Sequence, residues 1–377
     1  MRPLYVSRAW FFLVVLLAVG LLYLVVGQGG RGGDGSAGAL TIDNIKDGEE
    51  VTYALLLVKG KVPRRTENVV VALDGEARSW PAAGGRYKVL AMLKPGLNRL
   101  TLTAAEQPVV TLGVTYTPRK TDKLVRMVYI VPADGDGEFE APPGEPRDLA
   151  SAQRRLVLAG LMLQTAAAEM MNDAGMGRKT FQLALRPDGG VDVAVLRTAL
   201  TGDQARHMAG LQLWWHFQKE LQQQFPDDSE NVKNLACMSM TRYDPKTQKA
   251  QAHTALGAGI LGLFGTGGLH TWAQDLDEVV ARWADSRKVA GFSLYDDSAL
   301  RGTFWANYAT GLGATLHELG HAFGLVHSGD PQCVMERGFD HMNRVFMVAE
   351  DGEAFEEDQI RWTAVSAEKL AASPWFN

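Results

Sequence analysis

The chain has 377 residues, of which 46% are hydrophobic, so it has room for two or three domains with a sizeable core. Its 43 acidic and 38 basic residues are mixed along the sequence and leave a formal net charge of −5. No basic stripe with interleaved aromatic residues occurs, which argues against nucleic acid as a partner.

The first predicted element is an uninterrupted apolar run over residues 9–27, preceded by residues 1–8, which contain two arginines. A helix of 19 residues spans about 28 Å, close to the thickness of the bilayer hydrocarbon. The positive-inside rule then predicts a signal anchor with a cytoplasmic N-terminus and a lumenal, extracellular or periplasmic main body. Cleavage and secretion is the alternative, although the small-residue site at 37–39 lies far past the run. The glycine-rich segment 28–39 is predicted to be a flexible tether.

From residue 40 to 118 the pattern changes to short runs of β-branched and apolar residues, separated by turn signals such as Asp74-Gly75 and Pro95-Gly96. The predicted strands lie at 51–58, 69–73, 87–91, 99–103 and 109–116. This spacing predicts a small all-β sandwich that resembles an immunoglobulin-like domain. The segment has no cluster of titratable residues, so we expect a spacer or a module that binds substrate or a partner.

The remaining residues, 121–377, are predicted to form an α+β domain. Its first elements alternate: a strand at 124–131, a helix at 149–173, strands at 181–185 and 191–195, a helix at 203–224 and a strand at 235–241. A strand-helix-strand order of this kind predicts a mixed sheet.

The motif GxGxxG occurs at residues 257–262, where it would be the fingerprint of a dinucleotide-binding loop. No βαβ unit follows, and the glycines continue beyond the motif, which would break the required helix, so we exclude a nucleotide cofactor. We interpret Gly257 and Gly259 instead as small residues at the rim of a cleft, where a substrate backbone can pair as an added strand. His270, shortly beyond, could contact the substrate or the transition-state oxyanion.

The strongest signal is the sequence HExxHxxGxxH, which begins at His317. His317 and His321 lie one helical turn apart on the same face, so one Zn²⁺ ion can bind both imidazoles. Gly324 is suited to end the helix in a left-handed turn, after which His327 can return as the third ligand. Three protein ligands leave one coordination position open, as in catalytic zinc sites. Glu318 is placed to act as the general base toward a zinc-activated water.

Met335 follows His327 after eight residues, in the run Cys333-Val334-Met335-Glu336-Arg337-Gly338. A methionine in a turn at this distance is typical of metzincin peptidases, where its thioether packs beneath the zinc-binding imidazoles. The turn that continues through Gly338 and Phe339 is predicted to line the pocket for the residue after the scissile bond. Cys333 could form a disulfide with Cys237, or both could be independent buried thiols.

The stretch from about residue 124 to 376 resembles a metzincin-like family of zinc metallopeptidases found in fungi and other eukaryotes. Besides the zinc helix, the likeness is carried by segments at 255–259, 263–267, 269–272, 301–305, 337–339 and 343–344. The resemblance implies a metzincin fold and endopeptidase chemistry with one catalytic Zn²⁺, and it implies no known substrate.

The sequence therefore predicts a zinc-dependent endopeptidase that acts on a protein or peptide, held at a membrane by its N-terminal helix. Two alternatives stay open at this stage. One is a membrane-tethered binding protein that has kept an inactive metal site. The other is a zinc hydrolase of non-peptide amide or ester bonds. Glu318 argues against the first, because a purely structural site has no use for a carboxylate beside its ligand.

Overall fold

An all-β part and a mixed α/β part make up the computed structural model, which describes residues 38–226, 231–355 and 360–377. The predicted transmembrane segment 9–27 lies outside the described residues, as does the tether 28–39 apart from its last two residues. None of the described helices is both long and apolar enough to cross a membrane.

Eight strands form the all-β part and join in one curled sheet, in the order β1-β3-β6-β5-β4-β7-β8-β2. All neighbours are antiparallel except β2 and β8, which run parallel. The strands are β1 Thr41–Ile42, β2 Glu49–Val51, β3 Leu55–Lys61, β4 Asn68–Leu73, β5 Glu76–Ala83, β6 Arg86–Met92, β7 Gly96–Ala104 and β8 Val110–Tyr116. The immunoglobulin-like topology stays a prediction.

Strand β5 curls this sheet, because it pairs with β4 along most of its length and with β6 through its last two residues. Trp80 projects from β5 into the core and is 1% exposed. The sequence analysis missed β5, since its charged residues and its proline hide the usual strand pattern and pairing with β4 specifies it. The single strand predicted at 51–58 was wrong, because a bend at residues 52–54 divides it into β2 and β3.

The α/β part is built on a six-stranded sheet in the order β10-β9-β12-β16-β15, with β11 also paired to β9. All pairs are parallel except β15 with β16, so the predicted mixed sheet is present. The strands of this sheet are β9 Leu124–Val131, β10 Gln182–Leu183, β11 Val193–Arg197, β12 Val232–Met238, β15 Ala255–Ala258 and β16 Leu261–Gly265. Two small antiparallel hairpins lie outside it. One pairs β13 Arg242–Asp244 with β14 Lys249–Gln251, and the other pairs β17 Ala349–Glu350 with β18 Glu353–Ala354.

Helices cover both faces of this sheet. They are α1 Leu149–Asp173, α2 Gly202–Arg206, α3 Gly210–Gln224, α4 Leu276–Trp283, α5 Phe304–Ala322, α6 Asn343–Phe346 and α7 Ala364–Ala371, besides short 3₁₀ segments. Alternate residues of β9 point to opposite faces of the sheet. Helices α1 and α5 share a hydrophobic core with one face, and α3 packs against the other face. The prediction of one helix at 203–224 was wrong, because the chain turns between α2 and α3 and starts a second helix at Gly210.

A buried polar cluster joins the all-β part to α1. Glu169 of α1 is 1% exposed, and its carboxylate accepts hydrogen bonds from Arg178 Nε at 3.0 Å and from Asn44 Nδ2 at 2.9 Å. Lys59 lies 3.4 Å from the same carboxylate, and the Tyr53 hydroxyl donates to it at 3.4 Å. Residues 38–377 accordingly pack as one unit.

Candidate metal centre and active site

Helix α5 carries the first two histidines of the motif. The helix begins after Thr303, whose hydroxyl accepts a hydrogen bond from the backbone N–H of Ala306. It ends at Ala322, and Gly324 then adopts a φ of +85°, the left-handed conformation that glycine tolerates best. The chain reverses at this glycine, and His327 returns toward the helix face.

The three imidazoles converge on one point. The Nε2 atom of His321 lies 3.0 Å from Nε2 of His317 and 3.2 Å from Nε2 of His327. Zinc bonded tetrahedrally to imidazole nitrogens at 2.0–2.1 Å would place those nitrogens about 3.3 Å apart. The three histidines thus have the spacing of a zinc site and are the group of described residues that could hold a metal ion.

Main-chain carbonyls set the orientation of two of these rings. His317 Nδ1 donates to the carbonyl of Val334 at 2.8 Å, and His321 Nδ1 donates to that of Leu325 at 3.0 Å. These bonds place the ring protons on Nδ1, so the two Nε2 lone pairs face each other at 3.0 Å. Such an arrangement is repulsive unless a cation lies between the nitrogens.

Burial also keeps these rings in the neutral state that a metal requires. Burial lowers the pKa of His317 to about 4, despite the hydrogen bond to Val334. It lowers the pKa of His321 as well. His327 is exposed, so the centre is open to solvent on the side of its third ligand. The donor chemistry of the three side chains therefore fits a zinc ion.

Glu318 lies beside the metal ligands and is 7% exposed. Burial raises the pKa of its carboxyl group to about 7, while a hydrogen bond from the backbone N–H of Gly257 acts in the opposite direction. A nearby divalent cation would lower this pKa again, because an opposite charge favours the carboxylate. The side chain is therefore suited to accept and return a proton near neutral pH.

Glycines allow neighbouring segments to approach α5 closely. A Cβ atom on Gly257 would lie 1.9 Å from the backbone oxygen of Glu318, so β15 and the helix meet at this glycine. On the helix itself, a Cβ on Gly313 would lie 1.9 Å from the backbone oxygen of Phe339. The missing side chain of Gly257 thus makes room for the helix, whereas we had predicted that it makes room for a substrate. Gly259 has a φ of +54° in the β15–β16 turn and open space around it.

Met335 packs against helix α5 at Gly320, and its role as the Met-turn of a metzincin stays a prediction. Its side chain is fully buried, and a Cβ on Gly320 would come within 2.5 Å of its sulfur. The preceding residue, Val334, supplies the carbonyl that orients His317. This turn therefore contacts the zinc helix through the side chain of Met335 and orients one candidate ligand through the carbonyl of Val334. Nearby Cys333 is a buried free thiol, as is Cys237.

Gly338 and Phe339, the two residues predicted to line a substrate pocket, differ in their surroundings. Gly338 is buried, and a Cβ there would lie 2.2 Å from the backbone oxygen of Gln332. Gly338 therefore shapes the turn and offers no wall to a substrate. The ring of Phe339 is half-buried and meets the ring of His317 edge-on, with centroids 5.1 Å apart. Phe339 lies next to the metal centre.

His270 does not take part in the site, which corrects our prediction that it contacts substrate. The side chain is fully buried and packs edge-on against Phe304, with ring centroids 5.1 Å apart. Burial lowers its pKa to about 3, so it stays neutral. The glycine-rich sequence before His270 suggested an open rim, but the 3₁₀ turn Leu269–Thr271 carries the ring into the core.

Comparison with known proteins agrees with this centre. The family described as "Putative peptidase family" matches residues 39–377. A "Putative zinc metalloproteinase" of Schizosaccharomyces pombe is 28% identical over 343 residues, which are 82% of this chain and 54% of that protein. One of the same description from Saccharomyces cerevisiae is 26% identical over 347 residues, 81% of this chain and 49% of that protein. The chain spans about half the length of these curated relatives.

Among solved structures, wild-type OgpA from Akkermansia muciniphila is similar over 69% of this chain and 63% of its own. The sequence identity is 18% and the TM-score 0.44. A structural similarity this low supports no conclusion about the fold or function of this chain.

Proposed function

The chain belongs to the family described as "Putative peptidase family", whose fungal members are named zinc metalloproteinases, and from this premise we propose that it is a zinc-dependent endopeptidase of the metzincin type. The cofactor indicated by the relatives and by the histidine group is zinc. The observation that carries the proposal is the convergence of three imidazole nitrogens, two of them 3.0 Å apart, beside the Glu318 carboxylate.

In the proposed mechanism, His317, His321 and His327 would hold a zinc ion, which would supply the Lewis acidity needed to activate water and polarise the scissile carbonyl. Glu318 takes a proton from the attacking water and passes it to the leaving amine. The backbone N–H of Gly257 holds the Glu318 carboxylate in position. The exposed side of His327 leaves the substrate a path to this carboxylate.

We propose further that the substrate binds as an added strand along β15. Strand β15 is the edge of the six-stranded sheet, and its pairing among the described strands is with β16. Its residues are exposed or half-buried, and Gly257 within it contacts Glu318. An extended peptide paired here would run past the catalytic carboxylate. A peptide added to a sheet edge donates every second backbone N–H to the neighbouring strand. Methylation of the peptide nitrogens one at a time should therefore slow cleavage strongly at every second position. An equal loss of rate at all positions would contradict this placement.

The decisive experiment removes the general base and keeps the metal ligands. Wild-type protein should cleave casein, lose activity with a chelator and regain it with zinc. Glu318→Ala should keep one zinc per chain by elemental analysis and cleave about a thousandfold more slowly, because the carboxylate that accepts the proton is removed. Cleavage by Glu318→Ala at the wild-type rate would refute the assignment. Stoichiometric zinc with no cleavage by the wild type would favour a binding protein or a hydrolase of other bonds.

We also propose that the catalytic part lies outside the cytosol, anchored by residues 9–27 or released from them by cleavage. The apolar run and its flanking arginines support this placement. Protease treatment of sealed vesicles tests it, since a lumenal domain survives until detergent is added. Digestion without detergent would contradict a lumenal position.

A further inference from the structure

A narrow pocket opens beside the metal centre, between the edge strand β15 and helix α5. About 30 Å³ of it admits water, which corresponds to two or so water molecules, and its mouth is open to solvent. Its walls include aromatic, small and acidic residues: Ala255, Phe264, Trp272, Asp297, Gly311 and Ala314. None of them belongs to the zinc-binding motif.

The pocket lies within reach of a peptide bound at the catalytic carboxylate. Ala314 precedes His317 by three helical residues, about 4.5 Å along the axis. Ala255 precedes Gly257 by two residues of β15, about 7 Å, and Gly257 contacts Glu318. A peptide extended along β15 would therefore place the side chain one or two positions from the scissile bond at this pocket.

Asp297 is the acidic residue of the pocket wall. Its backbone N–H donates to Asn307 Oδ1 on α5 at 2.9 Å, which ties the residue to the zinc helix. Within the described part of the chain, no hydrogen bond or ion pair engages its carboxylate. The neighbouring Asp340, in contrast, is paired with Arg337 at 2.8 Å. Asp297 thus brings to the pocket a carboxylate that forms no hydrogen bond or ion pair among the described residues.

The other titratable groups near the pocket do not neutralise this charge. Burial lowers the pKa of His253 to about 4, so this wall residue is uncharged at neutral pH. Burial likewise raises the pKa of Tyr295 to about 12. Burial raises the pKa of Asp297 itself to about 6, with Asp340 adding to the effect and Arg337 opposing it, so the carboxylate is mainly ionised at pH 7.

The loop that carries Asp297 is held in a costly conformation. Ser293, Ala299 and Leu300 have φ values of +53°, +53° and +68°, in the region that side chains usually avoid. Ser298 is fully buried, and its hydroxyl accepts a hydrogen bond from the backbone N–H of Gly302 at 2.6 Å. Strain of this kind persists where the surrounding structure fixes a segment, and it is concentrated at functional sites.

We propose that Asp297 is a specificity residue and that its pocket binds a basic substrate side chain such as lysine. The inference rests on the proposed peptidase function and deepens it by naming a substrate class. Asp297 is half-buried, and a cationic side chain in the pocket would give its carboxylate an opposite charge and a hydrogen-bond donor. The rings of Phe264 and Trp272, stacked with centroids 5.9 Å apart, suit an aliphatic stem and a cation.

The test compares peptides that differ at one side chain. Zinc-loaded full-length protein would be given peptides with lysine, acetyl-lysine or glutamate at each position around the cleavage site. We expect one position at which lysine raises kcat/KM over acetyl-lysine by about tenfold or more, with glutamate poorest. In Asp297→Asn the lysine to acetyl-lysine ratio should fall toward one. In the control Asp296→Asn, which removes the adjacent exposed carboxylate, the ratio should stay at the wild-type value.

A binding arm separates this inference from the peptidase function. Glu318→Ala protein, which cannot turn peptides over, should bind the lysine peptide about tenfold more tightly than the acetyl-lysine peptide by fluorescence anisotropy. Cleavage without a charge preference, or a preference that Asp297→Asn keeps, would overturn the pocket assignment and leave the peptidase intact. Selective binding without any cleavage by the wild type would support the pocket and overturn the peptidase.

Discussion

At the scale of single residues, the metal centre depends on main-chain carbonyls that no sequence motif contains. Val334 and Leu325 accept the Nδ1 protons of His317 and His321 and so turn both Nε2 atoms toward the same point. These acceptors carry no charge, so they fix the tautomer without making the rings cationic. The exposed His327 has no such main-chain acceptor among the described residues.

Removal of one ligand should abolish the metal site. Loss of a residue that only hydrogen-bonds to a metal ligand typically weakens metal binding about 10–100-fold. We expect His317→Ala to weaken zinc binding by more than this, because the substitution removes a ligand itself. Elemental analysis after dialysis at defined free zinc measures this loss. The control is His207→Ala, since that ring is 79% exposed and lies on α2's C-terminal side. Retention of stoichiometric zinc by His317→Ala would contradict the proposed ligand set.

At the scale of elements, α5 is confined on two sides by backbone. The edge strand β15 meets it at Gly257, and the 3₁₀ turn Arg337–His341 meets it at Gly313. The helix also shares its hydrophobic core with α1, through residues such as Leu316 and Leu319. A helix held in this way presents the imidazoles and Glu318 rigidly, which precise proton transfer requires.

This confinement predicts the effect of one methyl group. Gly257→Ala should lower the free energy of unfolding by about 1–3 kcal/mol, because the new Cβ collides with the Glu318 backbone oxygen and must displace the strand. Cleavage should fall as the hydrogen bond to the Glu318 carboxylate is disturbed. Urea unfolding and casein cleavage measure the two effects. Gly291→Ala is the matched control, because nothing lies within 4 Å of that position. Equal free energies of unfolding for the two variants would contradict a tight contact between Gly257 and the Glu318 backbone.

At the scale of the whole molecule, the all-β part is joined to the α/β part by buried charge as well as by apolar packing. Arg178 pairs with Glu169 and also with Glu49, so one guanidinium connects α1 to strand β2. A neutral hydrogen bond adds to this junction, since the Thr165 hydroxyl of α1 donates to the backbone oxygen of Leu55 in β3 at 2.5 Å. The all-β part is therefore a fixed support for α1, which packs against the same sheet as the zinc helix.

Breaking this cluster should destabilise the whole molecule. Glu169→Leu should lower the free energy of unfolding by about 3 kcal/mol, because it leaves buried polar partners without their shared acceptor. Glu76→Gln, which removes an exposed partner of Arg78, should change stability little. Urea unfolding of both proteins measures the difference. If the all-β part only covers the surface, both substitutions would have equally small effects.

Local features were predictable because neighbours in sequence determine them. The ligand spacing on α5, the left-handed Gly324 and the bounds of β9 and α1 all follow from residues a few positions apart. The family and the zinc cofactor, inferred from the same residues, are confirmed by the relatives. The sequence by itself thus determined the family and the metal.

Tertiary structure alone decided which residues meet across the fold. Gly257 faces a helix backbone, His270 points into the core, and Asp297 lines a pocket beside the centre because elements far apart in sequence pack together there. The strand β5 likewise exists because β4 and β6 offer it hydrogen bonds. Burial and contact are properties of the packed chain, and no local pattern encodes which distant backbone will lie 2 or 3 Å away.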